Sequence, residues 1–298
     1  MLDFIVEKFP EGHGTVNTRI VVGVDNSKAG HAALMWAARR AAHIGVPLTL
    51  VRVIPGPWSF RHASRYVEAM NQAAELLAAE SRRVAALNPA LQVSTALRTG
   101  ETALTLRRLS EDADMVVVGT DRRPDRHGEG FGSVSFQTAT ISNSVVAVVP
   151  TTGDESRVGV VAGTDGSADA AEAVTWAASE ALRLGQELTV LHVCNGHDGP
   201  DVEPAGDAAD AMAADTCAVL AAAVAGLTRD HPGLQVHQVL ESGRYPAPAL
   251  VKAGAHALLL VIGCKGRGGL NVLVGSVARD VLMDIQCPTL ITRPARKH

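Results

Sequence analysis

The chain has 298 residues, of which 47% are hydrophobic and only 3% aromatic, and its formal net charge is −4. This length suggests about two domains, and the acidic surplus argues against nucleic acid as the main partner, because phosphate binding usually requires a basic surplus. No apolar stretch reaches the roughly 20 residues of a membrane-spanning helix, so we expect no membrane partner. Residues 1–16 lack the basic and apolar segments of a secretory signal, so we expect a tail there and a cytoplasmic protein.

The chain contains two copies of one unit. Matched residues lie 140 positions apart within the segments that begin at Ile20 and Gly159, and GSV triplets follow at 132–134 and 275–277. A Pro/Thr/Gly-rich stretch at 150–157 separates the copies. We therefore expect a first domain at 17–150 and a second at 158–298, called repeat one and repeat two below. Matched positions include Asp25 with Asp165, Ser27 with Ser167, and Trp36 with Trp176.

The predicted elements alternate between strands and helices, as repeat two shows in chain order. "RVGVVAG" predicts a strand, and "SADAAEAVTWAASEALRLG" predicts a helix that begins after Ser167 and ends at Gly185. "ELTVLHV" predicts the second strand, "DAADAMAADTCAVLAAAVAGL" a long alanine-rich helix, and "LQVHQVL" the third strand. "APALVKAGA", "ALLLVIG", "SVARDVLMDI" and "PTLITR" follow as helix, strand, helix and strand. Apolar strands with intervening helices predict an α/β fold with two tandem, doubly wound, five-stranded parallel sheets, docked with pseudo-two-fold symmetry.

Ligands of an open parallel sheet bind at the carboxyl ends of its strands, where strand order reverses. In repeat two the loop after the fourth strand reads "GCKGRGGLNVLVGS" (263–276) and leads into a helix at Gly275 and Ser276. Glycines let backbone N–H groups approach an anion, the helix dipole attracts it, and Lys265 and Arg267 add positive charge. The sequence therefore predicts a polyphosphate site here, although neither a Walker A loop nor GxGxxG is present.

The arrangement resembles the universal stress protein family in its tandem form, which has an adenine-nucleotide alpha-hydrolase-like fold, over residues 19–295. The resemblance rests on the turns "VDNS" and "TDGS" after the first strands and on "VIGCKG…GSV" after the fourth. In ATP-binding members, the aspartate and the backbone after strand two hold adenine, and the pattern G-x2-G-x9-G-[ST] holds ribose and phosphates. The nucleotide-binding residues that the resemblance implies are Asp165, Val193, Gly263, Gly266, Gly275, Ser276 and Val277 in repeat two, and Asp25, Val53, Gly119, Gly132, Ser133 and Val134 in repeat one.

Both repeats depart from the family pattern. Only eight residues separate Gly266 from Gly275, which could tighten the loop and displace one phosphate contact. In repeat one Arg122 stands where the second glycine is expected. Its side chain could fill the ribose–phosphate space, or its guanidinium could bind a phosphate, so we count Arg122 among the cofactor-binding candidates.

We expect an ATP-binding regulator of the stress response that uses one or both repeats, with Mg²⁺ bridging the phosphates and with a homodimer or another protein as partner. Ser133 and Ser276 have no evident His/Asp pair, so we expect no enzyme beyond weak ATP hydrolysis. Two alternatives remain open: a non-nucleotide interaction module with degenerate sites, and a slow ATP hydrolase. His192 and Cys194 share a strand face, but the sequence offers too few ligands for a metal site there.

Overall fold

The computed structural model describes residues 19–121, 134–151, 156–194, 217–242, 245–266 and 273–293. Repeat one has the alternating order that its sequence predicts. Short apolar runs form its strands, and amphipathic segments form the helices between them. Its elements are β1 (Ile20–Gly23), α1 (Lys28–Ile44), β2 (Leu48–Ile54), α2 (Ala63–Leu87), β3 (Val93–Thr99), α3 (Thr102–Leu109), β4 (Met115–Thr120), α4 (Val134–Ile141) and β5 (Val145–Pro150).

Repeat two has the same order. Of the predicted alanine-rich helix at 207–227, residues 217–224 are helical (α6), whereas 207–216 lie outside the described residues. The other elements are β6 (Val160–Gly163), α5 (Ala168–Leu184), β7 (Leu188–Cys194), α7 (Leu227–Asp230), β8 (Val236–Ser242), α8 (Pro246–Gly254), β9 (Leu259–Gly263), α9 (Ser276–Met283) and β10 (Thr289–Thr292).

The strands form one continuous ten-stranded sheet in the order β3-β2-β1-β4-β5-β10-β9-β6-β7-β8. The strands of each five-stranded half are parallel, which confirms the predicted doubly wound halves. The sequence did not predict their fusion, which occurs through antiparallel pairing of β5 with β10. Leu290 faces Ala147 in this pair, and the two residues are equivalent by the 143-position offset of the GSV triplets. A pseudo-two-fold axis therefore passes beside them.

Helices cover both faces of the sheet, and each interface with it is a hydrophobic core. One core holds α1, α2 and α5, and the other holds α3, α4, α8 and α9. Alanines at the sheet-facing positions of α1 and α5, such as Ala37 and Ala177, have no exposed surface. Their small side chains let the helix axes lie close to the strands, which explains how a chain so poor in aromatic residues fills its core.

The caps of α1 and α5 follow the sequence signals. The Oγ atoms of Ser27 and Ser167 accept hydrogen bonds from the backbone N–H groups three residues later. Gly45 and Gly185 end the helices with φ of 70° and 63°, a left-handed conformation that favours glycine. These caps determine where the turns after β1 and β6 point, and those turns carry Asp25 and Asp165.

Candidate functional site

The candidate site of repeat two lies where the strand order reverses, between β6 and β9. These neighbouring strands are parallel, so the turn after β6 and the loop after β9 meet at the same edge of the sheet. The turn after β6 carries Asp165, β9 ends at Gly263, and the loop after β9 contains Gly266. The sequence therefore predicted correctly that these segments lie together.

Gly263 is required by packing. A Cβ atom built there would lie 2.8 Å from the backbone carbon of Asp169 and 2.9 Å from its carbonyl oxygen. Gly119 occupies the same place in repeat one, where a Cβ atom would overlap the carbonyl group of Ala29. Each glycine lets the first turn of a helix lie against the end of the fourth strand. A glycine is thus needed at both positions whether or not a ligand binds.

Three residues between the end of β6 and the first turn of α5 contact the loop after β9. The Oδ2 atom of Asp169 accepts a hydrogen bond of 3.0 Å from the backbone N–H of Lys265. The hydroxyl of Ser167 donates to the carbonyl oxygen of Lys265 at 3.5 Å. A Cβ atom built at Gly266 would lie 2.6 Å from Oδ2 of Asp165, so this carboxylate lies directly against the glycine. The sequence did not predict the contact of Asp169, because an aspartate in the first turn of a helix is already explained by its favourable interaction with the helix dipole.

The second glycine turn lies beside the first. The backbone N–H of Gly275 donates to the carbonyl oxygen of Cys264 at 2.8 Å, and a Cβ atom at Gly275 would lie 3.5 Å from the nitrogen of Gly266. Gly275 is the N-cap of α9, and among the described residues no side chain caps this helix end. Ser276, the first residue of α9, is exposed. The first N–H groups of α9 therefore lack the side-chain acceptor that α1 and α5 have, which is the arrangement of an anion site.

A buried thiol contacts the loop after β9. Cys264 is 1% exposed, and its Sγ donates to the carbonyl oxygen of Leu273 at 3.2 Å. Burial raises the pKa of this thiol, and Arg293 acts in the opposite direction. The thiol form is thus favoured, and its contact joins the two ends of the segment whose middle, 267–272, lies outside the described residues. Arg267 belongs to that segment.

The aspartates after β1 and β6 share one contact, since Oδ1 of Asp165 accepts a hydrogen bond from the backbone N–H of Ser167 at 2.9 Å. Oδ1 of Asp25 accepts hydrogen bonds from the backbone N–H of Ser27 at 3.0 Å and from its hydroxyl at 2.5 Å. This carboxylate occupies the space where a Cβ atom at Gly30 would be. Ala170 is the equivalent residue in repeat two, and there the carboxylate of Asp165 lies against Gly266 instead. The two turns thus share the aspartate–serine contact and differ in the small residue, Gly30 or Ala170, that follows it.

The remaining candidates of repeat one are only partly described. Arg122, Gly132 and Ser133 lie outside the described residues, and Val134 begins α4 with 40% of its surface exposed. Val53 and its equivalent Val193 are buried in the core, so only their backbones are available to a ligand. Val277 is half-buried in the first turn of α9.

A polar contact joins the end of the second strand to the first turn in both repeats. Nδ1 of His192 donates to the carbonyl oxygen of Thr164 at 2.6 Å, and Nη1 of Arg52 donates to the equivalent Val24 at 3.4 Å. Sequence reasoning missed this shared role, because the two side chains differ in type. Within the described ranges, no three His, Cys, Asp or Glu side chains are grouped so that they could hold a metal ion.

A surface groove of about 520 Å³ adjoins the start of α9 on the side of α8. Ser276 and Val277 line it together with Asp280 and Asp284. The two carboxylates oppose the binding of a phosphate, so we place the anion-binding end of the site at the glycine turns and not in this groove. None of the described helices has both the length and the apolar character that crossing a membrane requires.

Comparison with known proteins agrees with this architecture. Residues 17–150 and 159–293 each match the profile of the universal stress protein family. A universal stress protein of Mycolicibacterium smegmatis is 32% identical over an alignment of 293 positions, which covers 92% of this chain and 97% of the relative. One of Mycobacterium tuberculosis H37Rv is 32% identical over an alignment of 304 positions, which covers 93% of this chain and 95% of the relative. The crystal structure of a universal stress protein from Archaeoglobus fulgidus superposes with a TM-score of 0.70 at 19% identity, and covers 95% of this chain and 98% of its own. The chain therefore belongs to the universal stress protein family, with two of its domains in tandem.

Proposed function

We propose that the chain binds ATP at the glycine turns of repeat two and acts as a regulator of the stress response. The observation that carries the proposal is the helix end of α9, which lies beside the Gly266 turn and has no side-chain cap from the part of the chain that the structure describes. Such a helix end attracts phosphate through its N–H groups and its dipole. Membership of the universal stress protein family supports the same reading.

The residues present fit a nucleotide. Gly275 leaves the backbone uncovered, so the N–H groups of Ser276 and Val277 and the Ser276 hydroxyl would hold the phosphates. Asp165, beside Gly266, offers an acceptor for a ribose hydroxyl or for the adenine amine. When bound, Mg²⁺ would neutralise phosphate charge, which matters here because Asp165 and Asp169 are both acidic. The backbone N–H groups of Lys265 and Gly275 already donate hydrogen bonds within the protein. The phosphates would therefore bind the N–H groups at the start of α9.

We propose binding without rapid turnover. A general base for hydrolysis must be within reach of the proton that it removes. Asp169 already accepts a hydrogen bond from the backbone N–H of Lys265, so its carboxylate is poorly placed for that role. Nucleotide binding would then shift the protein between conformations or partners, as in a sensor. A cytoplasmic location and a homodimer or a second protein as partner complete the proposal.

Calorimetric titration of the full chain with ATP and Mg²⁺ tests the site. Gly275→Ala is the informative change, because a Cβ atom there would meet its nearest neighbours at 3.4 to 3.5 Å, an ordinary contact that the fold tolerates. The added methyl group would stand between the phosphate and the backbone, so we expect affinity to fall about tenfold or more, equivalent to one good hydrogen bond.

Asp165→Ala and Asp25→Ala form a matched pair that identifies the repeat. We expect the first to weaken binding and the second to leave it nearly unchanged, because only Asp165 lies against a glycine turn in the described residues. Equal losses in both variants would assign the nucleotide to both repeats. Absence of any binding heat in the wild-type chain at millimolar ATP, with the fold intact, would rule the proposal out in favour of a non-nucleotide module.

A further inference from the structure

Two buried charges meet where the repeats join. Arg40 of α1 and Glu180 of α5 occupy equivalent positions, 140 apart in the sequence. Only 6% of Arg40 and 2% of Glu180 is exposed, and Nη1 of Arg40 forms an ion pair with Oε1 of Glu180. α1 contacts β5 and α5 contacts β10, the two strands that pair across the junction. The ion pair therefore lies beside the pseudo-two-fold axis.

Other groups surround this pair. Nε and Nη2 of Arg183 donate to Oε2 of Glu180 at 2.9 and 2.7 Å, and the Arg40 guanidinium carbon lies 5.7 Å from the centre of a Trp176 ring. Asp114, at the start of β4, also attracts Arg40 but forms no ion pair with it. The charge of Glu180 is thus shared between a residue of its own helix and a residue of the other repeat.

The ion pair is a weak source of stability. Burial lowers the pKa of Arg40, a change that Glu180 opposes, and Nε of Arg40 has no hydrogen-bond partner in the described part of the chain. Removing two charges from water costs about as much as their attraction returns, so apolar residues of similar size often serve equally well. The pair therefore needs an explanation other than stability.

The pseudo-two-fold symmetry supplies one. An interface between two copies of repeat one would bring Arg40 against a second Arg40, and one between two copies of repeat two would bring Glu180 against Glu180. We propose that Arg40 and Glu180 select the partner of this interface, so that repeat one accepts repeat two and rejects a second repeat one. Like charges in direct contact inside a buried interface are strongly unfavourable, whereas the mixed interface is neutralised. This selection is independent of nucleotide binding.

Charge reversal in the full chain tests the coupling. We expect Glu180→Arg, which places two arginines in contact, to lower the melting temperature by roughly 10 °C or more. Arg40→Glu combined with Glu180→Arg should recover at least half of that loss. Recovery is limited because Arg183 loses its partner and Asp114 then faces a carboxylate. A double variant no more stable than Glu180→Arg alone would overturn the proposal.

A neutral pair separates selection from stability. Arg40→Met with Glu180→Leu, combined with Arg183→Met so that no cation is left without its carboxylate, should melt within about 5 °C of the wild-type chain, because apolar residues replace the charges. When refolded at high concentration, this variant should give several times more intermolecular assemblies than the wild-type chain, as measured by size-exclusion chromatography with light scattering. Refolding with the wild-type distribution of assemblies would show that the ion pair selects nothing and would refute the proposal.

Discussion

Replacing Gly119 with alanine is expected to lower the free energy of unfolding by about 3 kcal/mol, at the upper end of the range for overpacked cores. The new Cβ atom would overlap the Ala29 carbonyl and lie 2.8 Å from the nitrogen of Gly30, both backbone atoms of α1. Backbone cannot move aside as a side chain can, so β4 and α1 would have to separate. Equilibrium unfolding in urea measures the loss.

Gly233→Ala is the matched control for this substitution. No atom lies within 4 Å of the Cβ position at Gly233, so we expect its unfolding midpoint to stay close to that of the wild-type chain. If Gly119→Ala unfolded at the same urea concentration as this control, the close approach of α1 to β4 would be wrong. Gly263→Ala should behave like Gly119→Ala, which is why loss of ATP binding in that variant would not identify a ligand contact.

Alkaline pH is expected to destabilise the fold through Cys287. Complete burial, with a small opposing effect of Arg157, raises the pKa of this thiol from 9.0 to about 12. Between these values the unfolded chain has lost the proton that the folded chain retains. The stability due to this residue is therefore complete below about pH 9 and falls as pH rises toward 12, by about 1.4 kcal/mol for each pH unit.

Comparison with Cys287→Ala isolates this contribution from other alkaline effects. The variant should be less stable than the wild-type chain at pH 8, because it leaves a small cavity. Its further loss between pH 8 and pH 11 should be smaller than that of the wild-type chain by about 2 to 3 kcal/mol, measured by urea unfolding at both pH values. Parallel losses in the two proteins would contradict the buried-thiol explanation.

Local signals account for the parts of the fold that the sequence predicted. Ser27 and Ser167 cap their helices with their own side chains, and Gly45 and Gly185 end them through their own backbone conformation, so each signal acts within a few residues. Pairing of β5 with β10 is different. Both strands are wholly buried, and a buried strand gives no indication in its own sequence of which neighbour it will have.

The candidate site, like the fold, was predicted from the sequence only in part. The repeat and its glycines place Asp165, Gly266 and Gly275 together, as the sequence predicted. The Asp25 carboxylate lies where a Cβ atom of residue 30 would be, so its position requires glycine there, whereas residue 170 is alanine, and pattern analysis treats these two small residues alike. Gly263 was assigned to a ligand, although its contact with the backbone of Asp169 is enough to require glycine.

The antiparallel junction between β5 and β10 determines which edges of the sheet carry the two candidate sites. Since strands within each half run parallel, reversing direction at the centre turns the carboxyl ends of one half away from those of the other. The aspartate turns of the two repeats consequently open on opposite rims of the molecule. One small molecule therefore cannot contact both aspartate turns of a single chain, and a ligand at one rim leaves the turn at the other rim accessible.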